Sequence, residues 1–69
     1  MQLSARNQLA GRVTAIKAGT VMAEVVVDIG GGREIVAAIT RESIERLGLS
    51  EGVAVVALIK ATEVMLARE

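Results

Sequence analysis

The sequence predicts an all-β fold with one short helix, and three observations carry that prediction. Apolar residues recur at every second position through most of the chain. A run of three glycines, Gly30, Gly31 and Gly32, separates the most regular of these stretches from the next. One segment alone, around Ile44 and Leu47, changes to helical spacing. A period of two marks a strand with one buried face, whereas apolar residues three or four apart mark a helical stripe.

In residues 9–16, Leu9, Gly11, Val13 and Ala15 fall on one side while Ala10, Arg12, Thr14 and Ile16 fall on the other, which predicts a first strand. Lys17, Ala18 and Gly19 form the connection, with Gly19 expected to take a positive φ. A second strand covers residues 20–29. Its Val21, Ala23, Val25, Val27 and Ile29 share a core face, opposite Met22, Glu24, Val26 and Asp28. The three glycines then form a hairpin turn into a third strand over residues 33–39. A phosphate-binding glycine loop would lead into a helix and carry a Lys followed by Ser or Thr, but Glu34, Ile35 and Val36 follow here.

Residues 40–48 read as a helix of about two turns. Thr40 is its expected N-cap, Glu42 suits the positive end of the dipole, Arg46 suits the negative end, and Gly48 suits the left-handed position that closes it. Ser50, Glu51 and Gly52 make a turn, residues 53–59 a nearly all-apolar fourth strand, and residues 63–67 a short fifth. Five strands with a helix between the third and fourth is the element order of a small OB-like barrel.

The 69 residues are expected to form one domain, since domains rarely fall below about 50 residues. Hydrophobic residues make up 52% of the chain, yet Phe, Trp and Tyr are absent, so the core must be aliphatic and thin. Domains under roughly 70–80 residues seldom draw more than about 3–5 kcal/mol from such a core and add disulfides, a metal or partner subunits. With neither Cys nor His, disulfides and the usual zinc sites are excluded, which leaves a homo-oligomer as the expected remedy. Lys plus Arg and Asp plus Glu both number 8, so no net charge attracts nucleic acid or an acidic membrane. The opening residues lack a signal peptide's apolar stretch, and every hydrophobic run ends short of the roughly 18 residues that span a bilayer. A cytoplasmic location is expected.

The same composition argues against an enzyme. Without His or Cys no serine or thiol nucleophile finds its usual base, and no covalently held cofactor is expected. Glu42 and Glu45 share a charged helix surface, and Glu24 and Asp28 an exposed sheet face. Single-stranded nucleic acid, the ligand that an OB-like outline suggests, needs aromatic platforms and a basic groove. The chain has neither. What remains suits a compact anion. Ser4, Arg6, Asn7 and Gln8 gather a hydroxyl, a guanidinium and two amides, Thr40 and Ser43 add hydroxyls at the helix start, and Lys60 ends an apolar strand. Taken singly, these are also what a solvated terminus, a helix cap and a solubilising lysine look like.

The segment Ser4-Ala5-Arg6-Asn7-Gln8-Leu9, followed by Gly11, resembles the opening motif of the molbindins, small molybdate-binding proteins related to TOBE domains. The similarity continues through Thr20-Val21-Met22-Ala23-Glu24-Val25, Ile39-Thr40-Arg41-Glu42-Ser43 ahead of Leu47-Gly48, and Lys60-Ala61-Thr62-Glu63-Val64-Met65, and so covers essentially the whole chain. The resemblance implies a five-stranded OB-like barrel whose subunits exchange a strand to form dimers, three of which assemble into a homohexamer. It implies intracellular molybdate or tungstate binding, for storage, buffering or homeostasis. It places Ser4, Arg6, Lys60 and the backbone N–H of Ala61 around the oxyanion, facing Thr40 and Ser43 of a neighbour. Some relatives carry Ser at the position of Ala61, so here only the main-chain donor is carried over. A second class of anion site falls near Gly19 and Thr20. The alternative is a structural or partner-binding oligomerisation module without a small-molecule ligand, in which Arg6 and Lys60 form salt bridges between chains and Thr40 is only a cap.

Overall fold

A computed structural model describes residues 2–69. Its elements are strands β1 (Asn7–Ala18), β2 (Met22–Gly30) and β3 (Arg33–Thr40), helix α1 (Arg41–Leu47), strand β4 (Ala54–Ile59) and a 3-10 turn (Ala61–Glu63). The strands form one antiparallel sheet in the order β3-β2-β1-β4, curled into a half-barrel. This is the all-β, OB-like architecture with one short helix that the sequence predicts. None of its helices is long and apolar enough to cross a membrane among the described residues.

The core lies on the concave face. Val13, Ala23, Val25 and Val27 are buried, and Ile16, Ile29, Ala37, Ile39, Ile44, Leu49 and Val55 pack around them. The core face expected for β2 is observed from Ala23 to Ile29, whereas Val21 is exposed and precedes the strand.

β1 departs from strict alternation. Val13 pairs with Val27, but Ala15 rather than Thr14 pairs with Val26, so Thr14 is an extra residue bulged out of the ladder. A bulge of this kind shifts every later side chain to the opposite face and increases the local twist. Ile16 therefore joins the core and Ala15 is exposed, the reverse of the faces expected from the sequence. The strand also runs from Asn7 to Ala18, beyond the expected residues 9–16 at both ends, because β4 pairs with its start and β2 with its finish.

The turns follow local chemistry. Gly31 and Gly32, at φ 64 and 74, form the two-residue loop of the β2–β3 hairpin, and the Gly30 N–H donates to Asp28 Oδ1 at 2.8 Å. Gly19 is not among the positive-φ glycines. Its N–H donates to the Met22 carbonyl at 2.8 Å, and an added Cβ would sit 3.0 Å from that same oxygen, so close approach is what a side chain there would obstruct. Helix α1 has the expected ends. The Ser43 N–H donates to Thr40 Oγ1 at 3.1 Å, while Gly48 at φ 64 lets its own N–H reach Glu45 O and that of Leu49 reach Ile44 O.

The expected fifth strand over residues 63–67 is not formed within the chain. The 3-10 turn ends at Glu63, and Met65 and Leu66 are 92% and 94% exposed. The free edges of the sheet are those of β3 and β4, and residues 64–69 pair with neither. The half-barrel accordingly stays open between its edge strands β3 and β4, leaving a groove of about 710 Å³ lined by residues such as Ile35, Ala37, Ile39, Leu49, Val55 and Ala57.

Candidate functional site

The residues singled out as anion donors fall into two clusters. The first is at the start of β1. Asn7 pairs with Ile59 as the last rung between β1 and β4, so Arg6 and Lys60 are the next residues outward on the two neighbouring chain segments. Both are exposed, as is Ser4. Lys60 precedes the 3-10 turn, within which the Glu63 N–H donates to Lys60 O and that of Val64 to Ala61 O. The turn itself makes no use of the N–H groups of Ala61 and Thr62, as at any helix start. Two cations, one hydroxyl and free main-chain donors thus share one end of the molecule.

The side-chain amides beside them act on the protein itself. Asn7 Nδ2 donates to the Ile59 carbonyl at 3.0 Å, and Gln8 Nε2 donates to the Ala5 carbonyl at 2.9 Å. The sequence alone grouped these amides with the anion donors, and it carries no mark that tells an amide facing a ligand from one facing a backbone carbonyl.

The second cluster surrounds the start of α1. Thr40 ends β3 opposite Met22. Its Oγ1 lies 2.7 Å from Ser43 Oγ, and Arg46 Nη2 approaches that same oxygen at 3.5 Å. Arg46 adds a cation that sequence reasoning had assigned only to the helix dipole, although its spacing of three residues from Ser43 puts both on one helix face. The loop holding Gly19 and Thr20 is tied to this cluster, since the Arg41 N–H donates to Val21 O at 2.8 Å and Arg41 Nη1 to Gly19 O at 3.4 Å.

These clusters lie at opposite ends of β1. Ala18, at the far end, pairs with Ala23, and the adjoining Met22 pairs with Thr40. The 12 residues of β1 would extend about 36 Å if straight. The structure therefore brings Ser4, Arg6, Lys60 and Ala61 together, and separately Thr40, Ser43, Gly19 and Thr20, but not the two groups within one chain. No group of three or more Asp or Glu that could hold a metal ion occurs among the described residues.

Comparison with known proteins gives a consistent family. Residues 3–66 match the TOBE domain. The chain is 52% identical over 66 residues to molybdenum-pterin-binding protein 3 of Clostridium pasteurianum, covering 96% of this chain and 97% of that protein. Among solved structures, a molybdate-binding protein from Sporomusa ovata superposes with a TM-score of 0.92 at 47% identity, over 99% of this chain and 100% of the other. The cytoplasmic molybdate-binding protein ModG, solved with molybdate bound, gives 0.85 at 46% identity over 88% of this chain and 43% of its own. With the family match running through nearly all of the half-barrel and both clusters, the chain belongs to the TOBE domain family, as one of its molbindins, and is a binding protein rather than an enzyme.

Proposed function

We propose that this protein binds molybdate in the cytoplasm as a store or buffer, at sites shared between copies of itself. The observation that supports this most is the division of donors between the two ends of β1. In this reading Ser4, Arg6, Lys60 and the Ala61 N–H of one subunit meet Thr40 and Ser43 of a neighbour around one tetrahedral ion. Arg6 and Lys60 balance its two negative charges, and charge-assisted hydrogen bonds of this kind are about twice as strong as neutral ones. Gly19 and Thr20 contribute to a second class of anion site. Tungstate, of equal charge and nearly equal size, binds alike, and the smaller sulfate fits the donor spacing less well.

The assembly in this reading is a hexamer built from three strand-exchanged dimers. Its support is the open groove between β3 and β4 together with the exposed apolar tail, in which Val64 is about half covered and Met65 and Leu66 are almost fully exposed. Equilibrium dialysis against molybdate, tungstate and sulfate, combined with a native mass measurement, tests both parts. Binding of the first two and a hexamer mass are expected, and binding of none of the three rejects the ligand. Arg6→Ala separates this reading from a purely structural module. It should retain the assembly and weaken molybdate binding about 10- to 100-fold, in line with the loss of a charged hydrogen bond. A loss of the hexamer in an Arg6→Ala protein would favour the structural module instead.

A further inference from the structure

The hydrogen bonds donated by Asn7 and Gln8 converge on the backbone that carries Arg6 and Lys60. We propose that these two amides are positioning residues, which fix the cationic half of the site before an anion arrives; this role rests on the reading of Arg6 and Lys60 as anion ligands. Gln8 Nε2 holds the carbonyl of Ala5, the residue before Arg6. Asn7, the residue after Arg6, is half-buried and its Nδ2 holds the carbonyl of Ile59, the residue before Lys60 and 52 positions away in sequence. The backbone on both sides of Arg6 and on the strand side of Lys60 is therefore tied by a side-chain amide.

Physical chemistry explains why the ties fall here. The ladder between β1 and β4 ends at the Asn7 and Ile59 rung, so beyond it no strand pairing holds the two segments together. Arg6 and Lys60 carry like charges that repel until an anion lies between them. Long, exposed side chains also lose rotamer freedom on binding, and a backbone fixed in advance reduces that cost. A neutral amide donates to a carbonyl without adding a negative charge that would compete with the ligand. A carboxylate at either position could neither donate to the carbonyl when ionised nor avoid repelling the anion.

A double-mutant cycle tests the role, with molybdate affinity measured by equilibrium dialysis and assembly by native mass. Asn7→Leu should weaken binding about three- to tenfold, the loss of one hydrogen bond, with the native mass unchanged. In a Lys60→Ala background the same substitution should cost clearly less, because residues that act through one another are non-additive. Equal losses in the two backgrounds, or no loss in the wild-type background, would overturn the proposal. Should Asn7→Leu fail to fold, Gln8→Leu in wild-type and Arg6→Ala backgrounds reads the same coupling. If Lys60→Ala weakens binding and neither amide variant does, only the positioning role fails. A wild-type protein that binds no molybdate overturns the ligand reading along with it.

Discussion

At Gly11 the sheet has no room for a side chain. A Cβ there would overlap the Asp28 carbonyl oxygen and lie 2.8 Å from Val27 Cγ1, both on the neighbouring strand. Gly11→Ala should therefore destabilise the fold by about 1–3 kcal/mol, the usual cost of overpacking, seen as a lower urea midpoint. A stability equal to wild type would show that β1 and β2 separate easily at this point. Several such residues declare their roles in the sequence. Thr40 and Gly48 frame α1 as expected, because capping depends on chemistry within a few residues. Gly19 is also a needed glycine, but the sequence alone assigned it a left-handed backbone when the constraint is the Met22 carbonyl. Asn7 and Gln8 were visible as polar groups beside Arg6, yet their acceptors include a carbonyl at the far end of the chain, and no local pattern encodes that distance.

Among the elements, β1 is the one whose alternation misleads. The bulge at Thr14 carries no glycine or proline to mark it, so an uninterrupted period of two was the natural expectation for residues 9–16. The bulge makes a sharp prediction. Ala15→Asp should change stability by less than about 1 kcal/mol, whereas Ile16→Asp, which buries a charge among Val13 and its neighbours, should cost about 3 kcal/mol or more. Thermal midpoints of the two variants decide it, and the opposite ranking would mean that the strand keeps strict alternation. The hairpin at Gly31 and Gly32 and helix α1 were legible for the opposite reason, since turn glycines and helix caps are written in adjacent residues. The fifth strand was expected from a β-prone segment, but pairing is a property of two edges, and the segment after Glu63 lies along neither free edge of its own sheet, β3 or β4.

For the molecule as a whole, the exposed area is the informative quantity. The chain presents 5700 Å² to solvent, while a compact monomer of 7.2 kDa presents about 4,100 Å². The excess is about 1,600 Å², roughly twice what one partner contributes to a standard interface. Only Val13, Ala23, Val25 and Val27 are buried among the described residues, which agrees with the thin aliphatic core read from composition. On the proposed reading, ligand and assembly stabilise each other, because an ion held by two chains is held only when they are together. Molybdate at 100 times its dissociation constant should add about 2.7 kcal/mol per site, raising the thermal midpoint by at least about 5 °C. The measurement is a thermal scan with sulfate at equal ionic strength as the reference, and identical midpoints in the two salts would reject shared sites.

The two ends of β1 also set an arithmetic. If every site joins the cationic end of one chain to the hydroxyl end of another, each chain behaves as a link with two unlike terminals. In any assembly that closes on itself, such links leave no terminal unmatched, so shared ions and chains are equal in number, whatever the size of the ring or cage. An open row would always lack one ion and leave one bare terminal of each kind. Stoichiometry of this class of site would thus report closure, and an isolated chain, however well folded, would hold none.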